Sequence, residues 1–355
     1  MDYKIFHFTK EGEVFKILDS IKPLPNKPLR SLVFLYDNRK PLYELLEKLK
    51  PIDIEGINFL TEYENDEVKL LKIILENHDE KVKDKIKNYL LIAKNAPFVV
   101  LITNIDKDGF NKILSLLNRY SPILSRIYLR SFEIKEILEK IENEDKAEIA
   151  VKSYVLKRYY VKKKIDLAWE NITYKELFNK ANENFLWVDG IQLSISERGN
   201  SGSVRINRKG IIQYGSLLYS TIEKLFLEKI ISKYSKFYED ILKERSRNLT
   251  SLEPKPIKFV MDEEVFRQPE DIDQFINSIH KTLNNWGYSI LFKEGIHLFM
   301  LIHDYNAGSS YELLITSSSE IIVIPQTQVT SLSFNGLVNF LMRNYDGEVI
   351  DGKQS

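Results

Sequence analysis

The sequence predicts an α/β fold in two domains, and three observations lead to that prediction. Over the first 150 residues, apolar runs alternate with stretches of helical period, which favours strands and helices in turn and a mostly parallel sheet. After residue 185, apolar runs follow one another closely, which favours a mixed sheet of the ribonuclease-H-like kind. The length of 355 residues suits two domains of ordinary size. We place the domains at residues 1–170 and 171–355.

The elements of the first domain follow from the spacing of its apolar residues. A polar stretch at 165–184 then predicts a linker helix and turn. In chain order, we expect a strand at 31–38, a helix at 41–52, a strand at 54–63, a long charged helix at about 66–94, a strand at 97–106, a helix at 108–120 and a strand at 125–131.

The second domain is predicted to contain more strands than helices. The sequence GNSGS at 199–203 lies between two apolar runs and favours a hairpin turn. No internal repeat is visible in the sequence. The expected strands are 185–195, 202–215, 255–266, 288–295, 296–305, 310–319 and 320–327, and the expected helices are 216–247, 270–285 and 332–345.

Composition excludes several classes of site. The 51 basic and 51 acidic residues balance, so a nucleic-acid site would have to be a local patch. The absence of cysteine excludes disulfides, thiolate metal sites and cysteine nucleophiles, and none of the five histidines has the HExxH spacing of a zinc protease. No apolar segment is long enough to span a membrane, so we expect a cytoplasmic protein.

Acidic residues that follow strands are candidates for a nuclease site, because paired divalent ions need carboxylate ligands fixed at strand ends. Asp189 follows the first strand of the second domain, Asp262 follows the strand at 255–261, and Asp304 follows a later strand. One alternative is therefore a metal-dependent nuclease that uses Asp189, Asp262 and Asp304. Acidic residues are also common in turns and at helix N-caps, so their positions alone do not decide.

The segment 152–164 concentrates positive charge among aromatic residues. Such a segment can bind phosphate through its cations and stack bases on its rings, or it can be a solvated helix face, and composition leaves both open. Its basic residues include Lys157, Arg158, Lys162, Lys163 and Lys164.

Three segments, taken in order, resemble the MID and PIWI domains of Argonaute proteins. Residues 97–131 resemble a MID strand and helix followed by an Ile-x-Ser strand, and 155–169 resemble a later MID helix with Lys163 six residues before a Trp. Residues 185–210 resemble the first PIWI hairpin, which carries a Gly-Ile-Asp-x-Ser motif. The resemblance extends over roughly residues 30–345, and the length suits the short prokaryotic members. It implies a Rossmann-like MID domain followed by a ribonuclease-H-like PIWI domain.

The resemblance implies a degenerate catalytic site. Aligning Gly190-Ile191-Gln192-Leu193-Ser194 with the PIWI motif places Gln192 where the family has its first catalytic aspartate. A neutral amide is a poor ligand for paired divalent ions. Asp262 matches a later family carboxylate, but one carboxylate cannot assemble a two-metal site. We therefore expect no catalysis and no metal site of this kind.

The resemblance also implies where the 5′ end of a guide strand would bind. The four family positions correspond to Phe110, Leu114, Arg126 and Lys163, of which Lys163 alone keeps the family residue. Phe110 could stack on the first base, and Arg126 could bind the phosphate as a bidentate donor. Lys112 could supply the cation that Leu114 lacks. Secondary contacts would come from Lys157, Arg158, Lys162 and Lys164, and Mg²⁺ bridging the 5′-phosphate is the one cofactor that the resemblance allows.

As a short Argonaute, the chain would hold a short guide, expected to be RNA, and pair it with DNA without cleavage. The resemblance implies a companion protein with an APAZ-type region and an associated effector, forming a heterodimer that acts in antiviral defence. A further alternative is a signalling module whose N-terminal domain binds a nucleotide messenger.

Overall fold

The structure is a computed structural model, and its described part leaves several gaps in the chain. Side chains at 118–119, 125, 158, 161–165, 331–332, 335 and 351 are outside the description. The residues described are 12–25, 27–36, 56–75, 85–94, 96–119, 124–158, 161–165, 171–184, 186–197, 199–234, 256–283, 285–305, 307–326, 329 and 331–351.

The chain forms two compact units. The first comprises Met1–Lys157, Lys164–Asn184 and Val188–Ser235, and the second comprises Arg158–Lys163, Phe185–Trp187 and Lys236–Ser355. The main change from one unit to the other therefore comes after Ser235. The sequence analysis placed a domain boundary at residue 170, but the first sheet contains strands from both sides of that residue.

The first unit contains one large sheet with helices around it. A short π-helical turn, Glu223–Leu227, continues its last helix. Its elements are α1 (Gly12–Asp19), β1 (Leu29–Tyr36), β2 (Ile57–Glu64), β3 (Val68–Leu75), β4 (Asn88–Ala93), β5 (Phe98–Thr103), α2 (Lys107–Arg119), β6 (Leu124–Arg126), α3 (Ser131–Glu144), β7 (Glu148–Arg158), β8 (Val161–Ile165), α4 (Tyr174–Glu183), β9 (Trp187–Glu197), β10 (Asn200–Asn207), β11 (Ile211–Tyr214) and α5 (Tyr219–Ile222).

The first sheet is mostly antiparallel, which corrects the parallel, Rossmann-like arrangement predicted from the sequence. Its strand order is β2-β3-β4-β5-β1-β11-β10-β9-β7-β8, with β6 also paired to β1. Every pair whose register is described runs antiparallel. The sequence was misread because strands buried on both faces are apolar throughout, a pattern typical of parallel sheets. β1, β4 and β5 are indeed buried along their whole length.

The helix predicted at 66–94 is wrong. Residues 68–75 and 88–93 are strands β3 and β4, and residues 76–84 lie outside the described part. An apolar run cannot by its period alone be assigned to a helix or to a buried strand, and the charged residues between the two runs suggested one long helix. The strand predicted at 125–131 is also shorter, since β6 ends at Arg126 and residues 127–130 form no strand before α3 begins at Ser131. The helix predicted at 41–52 lies outside the described residues.

One face of the first sheet packs against α2. Alternate residues of β1, β3, β4 and β5, among them Leu32, Phe34, Leu90 and Leu101, form a core cluster with helix residues such as Ile113. Because side chains of a strand alternate between faces, these residues define a single face, which we call the α2 face of the sheet.

The second unit contains a six-stranded sheet with the order β13-β14-β15-β16-β12-β17. All of its pairs are antiparallel, so the mixed sheet predicted for this part is wrong. Its elements are β12 (Ile257–Met261), α6 (Pro269–Thr282), β13 (Trp286–Glu294), β14 (His297–Asp304), β15 (Ser309–Ser317), β16 (Glu320–Pro325), α7 (Ser331–Asn344) and β17 (Gly347–Asp351).

The two units repeat one topology, although no repeat is visible in the sequence. In chain order, each repeat has one strand, then a four-stranded meander, then a helix, then a sixth strand. In the sheet, the first of these six strands lies between the fifth and the sixth. Thus β1 to β6 with α2 correspond to β12 to β17 with α7. The repeats differ in burial, since β1, β4 and β5 are buried throughout whereas β12, β14 and β16 alternate between buried and partly exposed residues.

Candidate nucleic-acid interface

A row of polar side chains crosses the α2 face of the first sheet at one register. Asn88 pairs with Thr103, Thr103 with Arg30, Arg30 with Gln213, Gln213 with Arg205, and Arg205 with Gln192. Directly paired residues share a face, so these six side chains form one line across β4, β5, β1, β11, β10 and β9. On the next strand, Ser153 of β7 donates a hydrogen bond to the Gln192 Oε1 at 3.2 Å and adds a seventh member. We call this line the polar row.

Exposure increases along the polar row. Asn88 and Thr103 are buried and bonded to each other, Thr103 Oγ1 donating to Asn88 Oδ1. Gln213 and Gln192 are partly exposed, and Arg205 and Ser153 are exposed. The buried end is therefore part of the packed interior, whereas the end on β9, β10 and β7 offers hydroxyl, amide and guanidinium groups to solvent.

Arg30 stands where the buried and exposed parts of the row meet. It is only 8% exposed, and its Nη1 donates to the carbonyl oxygen of Ile105, just before α2. Its guanidinium carbon lies 5.3 Å from the ring centroid of Phe110. Among the described residues, no carboxylate forms an ion pair with it. Burial lowers the pKa of the Arg30 guanidinium, and the negative charge of Asp106 partly opposes that shift, so the group stays protonated at neutral pH.

The first turn of α2 lies beside Arg30 and is capped by Asp106. Asp106 Oδ1 accepts a hydrogen bond from the backbone N–H of Gly109 at 2.8 Å, and Lys27 Nζ lies 3.4 Å from Asp106 Oδ2. The cap satisfies one of the free N–H groups of the helix, and Lys27 offsets the charge of the cap. The negative charge of Asp106 therefore offsets the positive charge of Arg30 only in part.

Three of the residues predicted to hold a guide 5′ end lie on α2 and β6, and the side chain of the fourth, Lys163, lies outside the described residues. Phe110 is 4% exposed and belongs to the core cluster on α2, so its ring offers no open face for a base. Lys112 is exposed on the same helix. Arg126 pairs with Phe34, four residues from Arg30 along β1, or roughly 13 Å at the usual strand rise. Its Nε donates to the Lys209 carbonyl at 2.8 Å.

The basic segment forms two neighbouring strands, β7 and β8, and not a helix. Lys157 Nζ lies 2.9 Å from Asp189 Oδ2, so one of its cations is already paired. The side chains of the other basic residues that we predicted, Arg158, Lys162, Lys163 and Lys164, lie outside the description, and their roles stay predictions.

Gln192, which the sequence resemblance aligns with a catalytic aspartate, has both ends of its amide hydrogen-bonded. Ser153 donates to its Oε1, and its Nε2 donates to Ser203 Oγ at 3.2 Å. Its place among hydroxyl groups suits contacts to the sugar and phosphate of a nucleic acid, which polar side chains commonly make. Within the described part of the chain, no group of three or more His, Asp or Glu residues is placed to hold a metal ion.

Asp262 and Asp304, two of the three acids of the nuclease alternative, are not placed to share a metal. Asp189 is paired with Lys157. Asp304 ends β14 near the end of β16 at Pro325, whereas Asp262 follows β12 near the start of β16 at Glu320. The length of β16 separates them by roughly 17 Å or more. Two-metal sites hold their ions about 4 Å apart, so Asp262 and Asp304 cannot bind one pair.

Sequence reasoning missed Arg30, Arg205 and Gln213. Of these three, Arg30 could have been found from the sequence, because an arginine next to the apolar run at 31–36 is unusual in a strand buried on both faces. The alignment of Arg205 and Gln213 with Gln192 could not be found in the same way, since it depends on strand register.

Comparison with known proteins gives no family. No protein-family model matches the chain, and no curated protein matches it significantly. Among the described residues, no helix is both long and apolar enough to cross a membrane.

Proposed function

We propose that the chain binds a short guide strand, RNA in our proposal, along the exposed end of the polar row and pairs it with DNA without cleaving it. The observation that carries the proposal is the row itself. Arginine, amide and hydroxyl side chains supply most protein contacts to phosphate and sugar, and such contacts hold a strand without reading its sequence. Base pairing with the guide would then supply the sequence specificity.

Arg30 supports a phosphate at the inner end of the row. A buried charge is normally paired, because an unpaired one loses its hydration without compensation. A phosphate is a suitable partner for a guanidinium, since two parallel N–H···O bonds can form. Lys27 and the exposed Lys112 lie at or on α2 and add positive charge there.

Binding without cleavage is proposed on the chemistry of Gln192. Its amide brings no charge to a pair of divalent ions, and its hydrogen bonds to Ser153 and Ser203 suit a structural or strand-contacting role. The sensing of foreign DNA in the cytoplasm, and a companion protein with an APAZ-type region and an effector, belong to the same proposal and depend on the sequence resemblance alone.

The polar row is tested by binding of a fluorescent single-stranded RNA over a range of salt concentrations. Arg205→Gln removes one exposed cation, so the slope of log affinity against log salt should become less steep by about 0.7, the value for one phosphate contact on a single strand. Arg343→Gln, an exposed arginine on α7 in the second unit, is the matched control and should leave the slope unchanged. Equal slopes for the three proteins would contradict the proposed path.

The guide itself is tested by purifying the protein together with the products of neighbouring genes and sequencing the nucleic acid that stays bound. Short strands of uniform length with a bias in the 5′ base support guide binding. Bound material of random length would leave the chain a general nucleic-acid binder, and small nucleotides without any oligonucleotide would favour the signalling alternative.

A further inference from the structure

The second sheet has one face covered by helices and one face without them. The ring centroids of Phe334 on α7 and Tyr311 lie 6.2 Å apart, and those of Phe275 on α6 and Phe340 on α7 lie 6.1 Å apart. Both helices therefore pack on the face that carries Tyr311. The described part of this unit contains no third helix, so the opposite face, which we call the open face, has no helix on it.

The open face is largely apolar. One register crosses all six strands, and its residues pair one after another, so they share this face. Phe292 is 49% exposed and the other members are partly exposed, whereas Leu313 and Ile321 of the covered face are 0% exposed. A continuous apolar surface of this extent marks a site of interaction. The members of this row, which we call the open-face row, are Phe292, Phe299, Leu314, Ile322, Lys258 and Ile350.

The corresponding face of the first sheet is covered by the chain itself. Because α2 and α7 hold the same place in the two repeats, the face opposite α2 corresponds to the open face. Val33 and Leu91 lie there and are 1% and 0% exposed. Burial raises the pKa of Tyr214 on the same face, and the charge of Asp19 raises it further, so α1 lies close to this face. The second repeat thus lacks a layer that the first repeat has.

Carboxylates surround the apolar residues of the open face. Lys258 is the one lysine or arginine among the described strand residues of this face, and its Nζ lies 3.5 Å from Glu320 Oε2. With four carboxylates and one lysine, these residues carry a net charge of −3 when histidine is neutral. The four carboxylates, placed on this face by register, are Glu294, Glu312, Glu320 and Glu348.

We propose that the open face binds an amphipathic helix of a partner protein, which lays an apolar stripe on the open-face row and carries lysine or arginine along the edges of that stripe. The partner element is a helix because the sheet faces that the chain itself covers carry helices. Its positive residues lie beside the carboxylates of the face, where complementary charge selects and orients a partner.

The charge of the open face argues against two other occupants. Packing against the same face of a second copy would bring the carboxylates of both chains together, and like charges across an interface weaken it. A nucleic acid would bring its phosphates to a face that already carries net negative charge. A basic helix meets neither repulsion.

The first test measures binding of two synthetic helical peptides to the full-length protein by fluorescence anisotropy. Each has about 18 residues, enough to reach across six strands spaced about 4.8 Å apart, and both have the same leucine stripe. One carries lysine beside the stripe and the other carries glutamate. We expect the lysine peptide to bind about tenfold more tightly or better at low salt, and the difference to shrink as salt rises. Equal affinities overturn the proposal, and so does a lysine peptide that does not bind.

Two variants test whether the peptide lies on the open face. Leu314→Gln removes an apolar side chain from the centre of the open-face row and should weaken binding of the lysine peptide by about fivefold or more. Glu312→Gln changes a surface charge without touching the core and should weaken it by roughly 1.5- to fivefold. Leu60→Gln and Glu62→Gln, at exposed residues of β2 in the first unit, are the matched controls and should bind like the wild type. Unchanged affinity in both open-face variants contradicts the proposed site.

The absence of cysteine from the chain allows the bound peptide to be located. Leu314→Cys introduces a single thiol, and a lysine peptide with one cysteine in its leucine stripe should form a disulfide with it on mild oxidation. Leu60→Cys should react much more slowly with the same peptide. Equal rates for the two variants would place the peptide elsewhere and reject the proposal.

Light scattering on the full-length protein covers the remaining occupant. A wild type that self-associates, together with a Leu314→Gln variant that does not, would make a second copy the occupant and overturn the proposal. None of these measurements uses RNA, so their failure and a failure of the proposed guide binding are distinguishable.

Discussion

At the residue scale, Arg30 connects fold to proposed function. Its charge is buried beside Phe110 and bonded to the Ile105 carbonyl, and the described residues provide no ion-paired carboxylate. A buried cation without an ion pair lowers the free energy of unfolding, and it gains a partner when an anion binds. The sequence predicted the strand of Arg30 but not its role, because the neighbours of Arg30 on β5 and β11 come from register and not from local sequence.

We expect Arg30→Met to separate stability from binding. Replacing a buried, incompletely compensated charge with an apolar side chain of similar length is commonly neutral or stabilising. The free energy of unfolding should therefore stay the same or rise by about 1 kcal/mol, while affinity for 5′-phosphorylated RNA falls. Denaturant unfolding and fluorescence anisotropy measure the two quantities. A loss of stability of more than about 2 kcal/mol would show that Arg30 is structural.

Gly210 and Gly199 provide a second test at this scale. Both have positive φ angles, 69° and 86°, which disfavour residues with a Cβ. A Cβ at Gly210 would lie 2.6 Å from the Ile127 carbonyl oxygen, whereas one at Gly199 would meet nothing within 4 Å. We expect Gly199→Ala to cost about 1 kcal/mol of unfolding free energy and Gly210→Ala clearly more, as measured by urea unfolding. Equal losses would mean that the turn at Gly210 relaxes easily.

At the element scale, amphipathic helices were predicted well, and so were the buried strands β1 and β5, expected at 31–38 and 97–106, whereas β3 and β4 were not. The helix at 107–119 was expected at 108–120, and the helix at 269–282 was expected at 270–285, because each has one apolar face and a clear start. β3 and β4 were taken for one helix, since a strand buried on both faces loses the alternation that identifies strands. The turn residues at 199–203 predicted the hairpin of β9 and β10 correctly, but they could not give the pairing of β10 with β11 or of β11 with β1.

The helical segment from 219 to 234 makes stability dependent on alkaline pH. Burial raises the pKa of Tyr219 and Tyr234 well above the ordinary value, and nearby Glu223 and Glu133 raise it further. A phenol with a raised folded-state pKa contributes its full stability below the unfolded pKa of about 10. As pH rises above that value, each such group should reduce the free energy of unfolding by about 1.4 kcal/mol per pH unit.

Tyr219→Phe is the matched variant for this pH dependence. The Tyr219 hydroxyl is buried and has no hydrogen-bond partner among the described residues, so its removal should not reduce stability at neutral pH. Above pH 10, the variant should lose stability less steeply than the wild type. Urea unfolding at several pH values measures both slopes, and identical slopes would contradict the assignment.

At the scale of the whole molecule, the repeated topology was beyond sequence reasoning. Strand order depends on which edges meet, and two repeats can keep that order while their residues diverge. The second repeat is nearly contiguous, since all six strands of its sheet lie between Ile257 and Asp351. The broad class, helices with sheets in two units, was predictable from alternating apolar runs and length. The antiparallel pairing was not.

We expect a fragment of residues 256–351 to fold alone. It contains every strand of the second sheet and both helices, α6 and α7, that accompany it. Cooperative urea unfolding and dispersed amide signals in an NMR spectrum would establish folding. A fragment with β17 removed, ending at residue 346, is the control and should be less stable, because β12 would lose its pairing along Ile257 to Met261. An unfolded longer fragment would mean that the second sheet depends on the rest of the chain.

The different burial of the two repeats has an evolutionary consequence. A strand packed on both faces tolerates few substitutions at any position, whereas a strand with one open face can change every second residue freely. The first repeat should therefore diverge slowly among descendants of this chain, and the outer positions of β12, β14 and β16 should drift more quickly where no partner covers them. The slowly changing repeat carries only the buried end of the polar row, at Asn88, Thr103 and Arg30. The exposed end, proposed to bind nucleic acid, lies on strands outside that repeat with many exposed positions, so the binding surface could change while the fold beneath it is inherited.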